Sequence, residues 1–62
     1  MKIREIIVIL VRDGWFLVDQ KGSHRQYKHA TKKGRVTVAG ALRDDVNPKT
    51  LKSIFRQAGL ER

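Results

Sequence analysis

The residues best suited to chemistry lie in one short run from Gln20 to His29, which reads QKGSHRQYKH. It brings an imidazole, His24, together with a hydroxyl and three cations beside a turn signal, Lys21-Gly22. An imidazole exchanges protons near neutral pH, and cationic side chains hold phosphate. Cleavage of RNA without a cofactor needs both capacities, so the run predicts a site where RNA is held and cut.

The charge of the chain indicates the same class of partner. Fourteen Lys and Arg against six Asp and Glu give a formal net charge of +8 on 62 residues. Between Gln20 and Arg43 there are seven basic residues and no acidic one. Basic side chains also keep small proteins soluble, which is the simpler interpretation. The local separation of charge nevertheless favours a nucleic acid as partner.

Length and composition bound the remaining possibilities. We expect one domain, residues 1–62, with a thin core, because a chain of this length buries only about 60% of its unfolded surface. Without cysteine there is no disulfide or thiolate metal site, and two histidines with no carboxylate between them do not make a zinc site. We therefore expect no metal and no cofactor. The apolar run from Ile6 to Val11 is too short for a membrane span, so we expect a soluble protein. With no cysteine to indicate secretion, we expect it in the cytoplasm.

Two amphipathic helices are predicted to flank the run. The first covers residues 2–12 and ends at Asp13-Gly14, although its β-branched residues leave a strand as the alternative. The second starts at Asn47-Pro48, where Asn caps free amides and proline suits the first helical position, and it stops near Gly59. Apolar residues recur at helical spacing in both segments: Ile3, Ile6, Ile7 and Leu10 in the first, and Leu51, Ile54, Phe55 and Ala58 in the second.

Three strands are predicted between the helices, over residues 15–20, 23–29 and 35–39. Alternation in the second strand places His24, Gln26 and Lys28 on one face and Arg25, Tyr27 and His29 on the other. The order predicts an α+β fold, α-β-β-β-α, with both helices on one face of a three-stranded antiparallel sheet.

The opposite face of this sheet is expected to be exposed. Tyr27, Val36 and Val38 would face the helices, and the residues in the open would be His24, Gln26, Lys28, Arg35 and Thr37, unless the register is displaced by one residue. The strand that begins at Trp15 is apolar on both faces. The sequence does not decide whether Trp15 or Phe16 is buried. The second of the two rings either fills further core space or lies on the open face, where it would stack on a base.

Several motifs together resemble the HicA family of toxins. They are Gly14-Trp15, the run from Gln20 to His29, the stretch KKGRVTV at 32–38, and the segments Thr50 to Ile54 and Gln57 to Leu60, so the similarity spans nearly the whole chain. It implies a fold like the double-stranded RNA-binding domain and an mRNA interferase, an endoribonuclease of type II toxin–antitoxin systems that inhibits translation and growth. It also implies a HicB-like antitoxin as partner, with the toxin expected to be monomeric when free and hetero-oligomeric with the antitoxin.

The resemblance assigns catalysis to His24 and no metal to the reaction. RNA phosphate and backbone are expected to be held by the neighbouring residues Lys21, Gly22, Ser23, Arg25, Gln26, Lys28 and Arg35. Gly22 would let backbone approach phosphate closely, and charge building on the phosphoryl oxygens needs cations. Ser23 has a simpler role as a turn residue. His29, on the other face, is expected to be structural or a peripheral RNA contact.

One segment departs from the family. Many members carry a Pro-His-Pro type stretch after the third strand, whereas this chain reads VAGALRDD at 38–45 and lacks that second histidine. We still expect an active nuclease, because His24 is present. The alternative is a noncatalytic module that recognises double-stranded RNA by shape. A third possibility is a protein that binds promoter DNA together with its antitoxin.

Overall fold

The computed structural model describes residues 1–60. Its elements follow in the order α1 (Ile3–Arg12), β1 (Trp15–Lys21), β2 (His24–His29), β3 (Val36–Ala39) and α2 (Pro48–Gln57). The strands form one antiparallel sheet in the order β1-β2-β3. The predicted α-β-β-β-α architecture is confirmed. The observed bounds differ from the predicted ones by one residue at several ends, because Ser23 lies in the hairpin turn and Arg35 precedes β3.

The first turn of helix α1 is hydrogen-bonded to the segment between β3 and α2. The first amides of a helix have no partner within it. Here the Ile3 amide donates to the Asp44 carbonyl at 3.0 Å, and the Arg4 amide donates to the Leu42 carbonyl at 3.1 Å. The Glu5 carboxylate accepts from the Lys2 amide at 2.8 Å. The segment after β3 is therefore attached to the start of α1.

Helix α2 has the ends that its sequence predicts. The Asn47 side chain accepts a hydrogen bond from the Lys49 amide at 2.8 Å, and Pro48 occupies the first helical position. Beyond the last turn, Gly59 has a φ of +69°, in the left-handed region that ends many helices. The cap and the stop are therefore both confirmed.

One core between the helices and the sheet holds the fold together. The buried residues are Ile3, Ile6 and Leu10 of α1, Ile54 of α2, Ala58 just after it, and Trp15, Tyr27, Val36 and Val38 of the sheet. Both helices thus cover the same face, as predicted. Burial also raises the pKa of the Tyr27 phenol above its usual value, as expected of a core residue.

Strand β1 carries one extra residue. Leu17 pairs with Tyr27, but the next pair joins Asp19 to Gln26, so Val18 is a β-bulge. A bulge reverses the alternation of the side chains that follow it. Asp19 and Lys21 therefore share the face of Phe16, although simple alternation from Trp15 would send both toward the helices.

Candidate active site

The sheet face opposite the helices, here called the open face, gathers most of the predicted site. Cα partners on antiparallel strands point to the same side of a sheet. One row joins Phe16 to Lys28, a second joins Asp19 to Gln26 and Thr37, and a third joins Lys21 to His24 and Ala39. Arg35, just before β3, reaches the same face, because its Nη1 donates to Gln26 Oε1 at 2.7 Å.

His24 lies exposed at the start of β2, in the third row. Lys21 is its partner on β1, and Ala39, with only a methyl group, is its partner on β3. Among residues 1–60, no side-chain hydrogen bond or ion pair occupies the imidazole. Both ring nitrogens are therefore accessible to a ligand on the open face.

The hairpin turn before His24 is held by several hydrogen bonds. Gly22 and Ser23 form a two-residue loop, and the φ of +57° at Gly22 matches the glycine-first pattern of type II′ hairpin turns. Gln20 Nε2 donates to the Gly22 carbonyl at 2.9 Å, and the Gly40 amide donates to the Ser23 carbonyl at 3.2 Å. These bonds fix the direction in which the chain enters β2, and hence the position of His24.

Arg25 lies apart from the other predicted RNA contacts. It is half-buried and alternates onto the helix side of β2. Its Nη1 donates to the Gly40 carbonyl at 2.9 Å and to the Ser23 carbonyl at 3.3 Å. The guanidinium thus ties the hairpin turn to the segment after β3. The structure brings together Lys21, His24, Gln26, Lys28 and Arg35, and it leaves Arg25 on the other side of the strand.

His29 belongs to the packing of the domain. Its Nε2 lies 2.6 Å from the Asp13 carbonyl, while Nδ1 accepts from the Thr31 and Lys32 amides, each at 3.1 Å. These partners assign the ring proton to Nε2. The ring also meets Trp15 edge to face, with centroids 5.2 Å apart.

An ion pair between Lys32 and Asp13 lies next to His29. Lys32 Nζ donates to Asp13 Oδ2 at 2.6 Å and to the Ala58 carbonyl at 2.9 Å. The hydrogen bond from Lys32 holds the pKa of the Asp13 carboxyl below its usual value. Lys32 therefore connects the loop after β2 to the ends of both helices and does not face the His24 side.

Asp19 is a member of the open face that the sequence did not indicate. Among residues 1–60 it is the one acidic side chain in the three rows of this face. Its Oδ1 accepts from the Gln20 amide at 2.9 Å, and it lies diagonally across from His24. Only the bulge at Val18 turns Asp19 outward, and no residue type in β1 announces that bulge.

Two other features of the described chain bear on the chemistry. Residues 1–60 contain no group of three or more His, Cys, Asp or Glu side chains placed to hold a metal ion. No helix in the described part of the chain combines the length and apolar character needed to cross a membrane.

Comparison with known proteins adds a family to this geometry. A family model described as HicA toxin of bacterial toxin-antitoxin matches residues 3–60, which is nearly the whole chain. Among curated proteins, none matches the chain significantly. The matched range includes both helices, all three strands and every residue of the open face.

Proposed function

The chain belongs to the HicA toxins of bacterial toxin–antitoxin systems, and we propose that it is an mRNA interferase. In this proposal it is an endoribonuclease that acts in the cytoplasm, cleaves message RNA with His24 and thereby stops translation and growth. The observation that carries the proposal is the exposed imidazole of His24 on a sheet face that also contains three cations, Lys21, Lys28 and Arg35, and one acidic side chain, Asp19.

The reaction we propose is internal transesterification. The 2′-hydroxyl of one nucleotide attacks its own phosphodiester, a base takes the hydroxyl proton, and the 5′-oxygen leaves with a proton from an acid. His24 performs at least one of these two proton transfers. An imidazole suits either role, because it gains and loses a proton near neutral pH. A metal ion has no step in this scheme.

Cations on the same face support the proposal. Lys21 is the cross-strand partner of His24, so its ammonium lies on the same face and suits the phosphoryl oxygens of a phosphate at the imidazole. Lys28 lies four positions further along β2, about 13 Å away at the usual rise of a strand, and Arg35 is beside it. These two cations suit a phosphate of a neighbouring nucleotide. RNA would then run along β2 across all three rows.

The partner we propose is a HicB-like antitoxin that covers the open face. A protein surface rich in Asp and Glu would complement the cations there and speed association. Covering His24 would prevent RNA from reaching the imidazole. The charge of +8 on the free toxin supports an acidic partner, because such a charge also binds nucleic acid unspecifically unless it is neutralised.

Replacement of His24 tests the proposal directly. General acid–base catalysis contributes about 100- to 10,000-fold, so H24A should cleave single-stranded RNA at least about 100-fold more slowly. Cleavage by the wild-type chain should persist in EDTA. V8A, a change to an exposed residue of α1, is the matched control and should cleave normally. If H24A cleaves as fast as V8A, His24 is not catalytic. Binding of duplex RNA without cleavage by any variant would favour the noncatalytic module instead.

A further inference from the structure

We propose that Phe16 and Lys28 form a binding subsite for one unpaired RNA base, on the open face and two rows away from His24. The subsite rests on the proposed function, since it requires RNA to lie along this face. It adds the form of the substrate: a single strand whose base is free to stack. It also adds a position at which the protein contacts a nucleotide other than the one that is cut.

The exposure of Phe16 is the first observation. The side chain is 50% exposed, whereas its neighbour Trp15 is 1% exposed. The chain has four aromatic residues, and the other three do not reach this face, because Trp15 and Tyr27 are in the core and Phe55 is half-buried in α2. Phe16 is therefore the one aromatic ring that RNA on the open face can meet.

The residues around the Phe16 ring indicate which kind of ligand binds there. Its cross-strand partner is Lys28, Arg35 lies beyond that lysine, and the next row contains Asp19, Gln26 and Thr37. A protein docks by preference on a contiguous apolar patch. Leu17 and Val18 of the same strand are also exposed, but the neighbours of the Phe16 ring on the other two strands are the cations Lys28 and Arg35. A ring beside cations suits a base, which stacks with its face and leaves its polar edges and phosphate to these neighbours.

The geometry also selects single strands. The Phe16–Lys28 row lies about 13 Å along β2 from His24, so the stacked base belongs to a nucleotide other than the scissile one. In a duplex the bases are already stacked on each other and their faces are not available to a flat sheet. Any base offers a π face, so the subsite prefers unpaired RNA over paired RNA more than it prefers one sequence.

Binding measurements on an uncleaving protein test the subsite. In the H24A background, F16A should bind a single-stranded RNA oligonucleotide about 5- to 150-fold more weakly, the range that one base–aromatic stack contributes. F16W should retain the affinity, and F16L should lose most of it, because leucine keeps apolar bulk without a π face. V8A in the same background should bind normally. Equal affinity of the F16A and V8A proteins, or loss in F16W equal to that in F16A, would overturn the subsite.

Two further measurements distinguish base stacking from a general loss of RNA affinity. RNAs with a single abasic nucleotide, moved along the sequence, should reveal one position where base removal weakens binding to the Phe16 protein but not to F16A. F16A should leave the affinity for a duplex of the same sequence unchanged, and an equal loss there would refute the proposal. Weaker antitoxin binding by F16A with unchanged RNA binding would instead make Phe16 a protein contact.

Failure of the Phe16 subsite can be distinguished from failure of the proposed nuclease function. If wild type cleaves RNA, H24A does not, and F16A binds RNA normally, only the subsite is wrong. If the wild-type chain does not cleave RNA at all, the nuclease proposal fails whatever Phe16 does.

Discussion

Alanine at each of the two histidines should produce opposite effects on stability and catalysis. H29A removes the 2.6 Å hydrogen bond to the Asp13 carbonyl, the acceptor shared by two backbone amides, and the edge-to-face contact with Trp15. With about 1 kcal/mol for each of the two ring nitrogens and about 1 kcal/mol for the aromatic contact, the loss is about 3 kcal/mol. H24A removes an exposed ring and should change stability by less than about 0.5 kcal/mol.

This loss is large for so small a domain. A chain of this length is stable by only about 3–9 kcal/mol, and a loss of about 3 kcal/mol lowers the melting temperature by roughly 12–24 °C. Urea unfolding followed by the fluorescence of Trp15, the only tryptophan, measures the change. Far-UV circular dichroism should be recorded in parallel, because His29 touches the indole and its removal alters the native signal.

Two results would refute the reasoning about the histidines. One is an H29A unfolding midpoint equal to that of the wild type, which would mean that the hydrogen bonds of His29 contribute nothing net. The other is an H24A midpoint lowered as much as that of H29A. In the cleavage assay, H29A held well below its melting temperature should stay active, and complete loss of its activity while folded would contradict a purely structural role for His29.

Three further predictions concern charge, pH and backbone conformation. D19N removes an acidic charge that lies about 8 Å from a phosphate held at His24. The repulsion between the two charges is about 0.5 kcal/mol in water, so D19N should tighten RNA binding about twofold at low salt and less at high salt. Unchanged affinity at low salt would contradict the placement of Asp19 on the open face. The pKa of Asp13 is lowered in the folded state, so the stability it contributes is present above its unfolded value of 3.8 and is lost as the pH falls through the lower folded value. Urea midpoints at pH 7 and pH 3 should therefore differ less for D13N than for the wild type, and an equal difference would argue against the ion pair. G22A should lower the free energy of unfolding by about 1 kcal/mol, because the φ at Gly22 is +57° but nothing lies near the added Cβ. G14A should lower it more, because the added Cβ would lie 2.8 Å from His29 Nε2. Thermal melts that rank the two variants in the opposite order would contradict this.

Much of the fold was predictable because its signals are local. The Asn47 cap, the proline after it and the apolar spacing of α2 act within a few residues, and the helix forms where they place it. Alternation along β2 likewise separated the His24 side from the Tyr27 side, since strand geometry has a period of two residues. The positive charge and its concentration after Gln20 also follow from the residues alone.

The segment after β3 illustrates what local signals leave open. Nothing in the sequence of residues 40–46 indicates which residues they contact. In the folded chain its carbonyls accept from the first amides of α1, and Gly40 accepts from Arg25. These are contacts between residues far apart in the chain, which no pattern within the segment reports.

The sequence by itself determined the α-β-β-β-α order, the basic character of the sheet and the prediction of His24 as the catalytic residue. Only the tertiary structure decided that Trp15 is buried and Phe16 exposed, and that Lys21 and Asp19 join the His24 face. The physical reason is that, in a strand that is apolar on both sides, the pairing with the neighbouring strand determines which side chains point toward the helices and which toward solvent. The extra residue at Val18 then reverses the alternation, and that pairing is set across the sheet rather than along the chain.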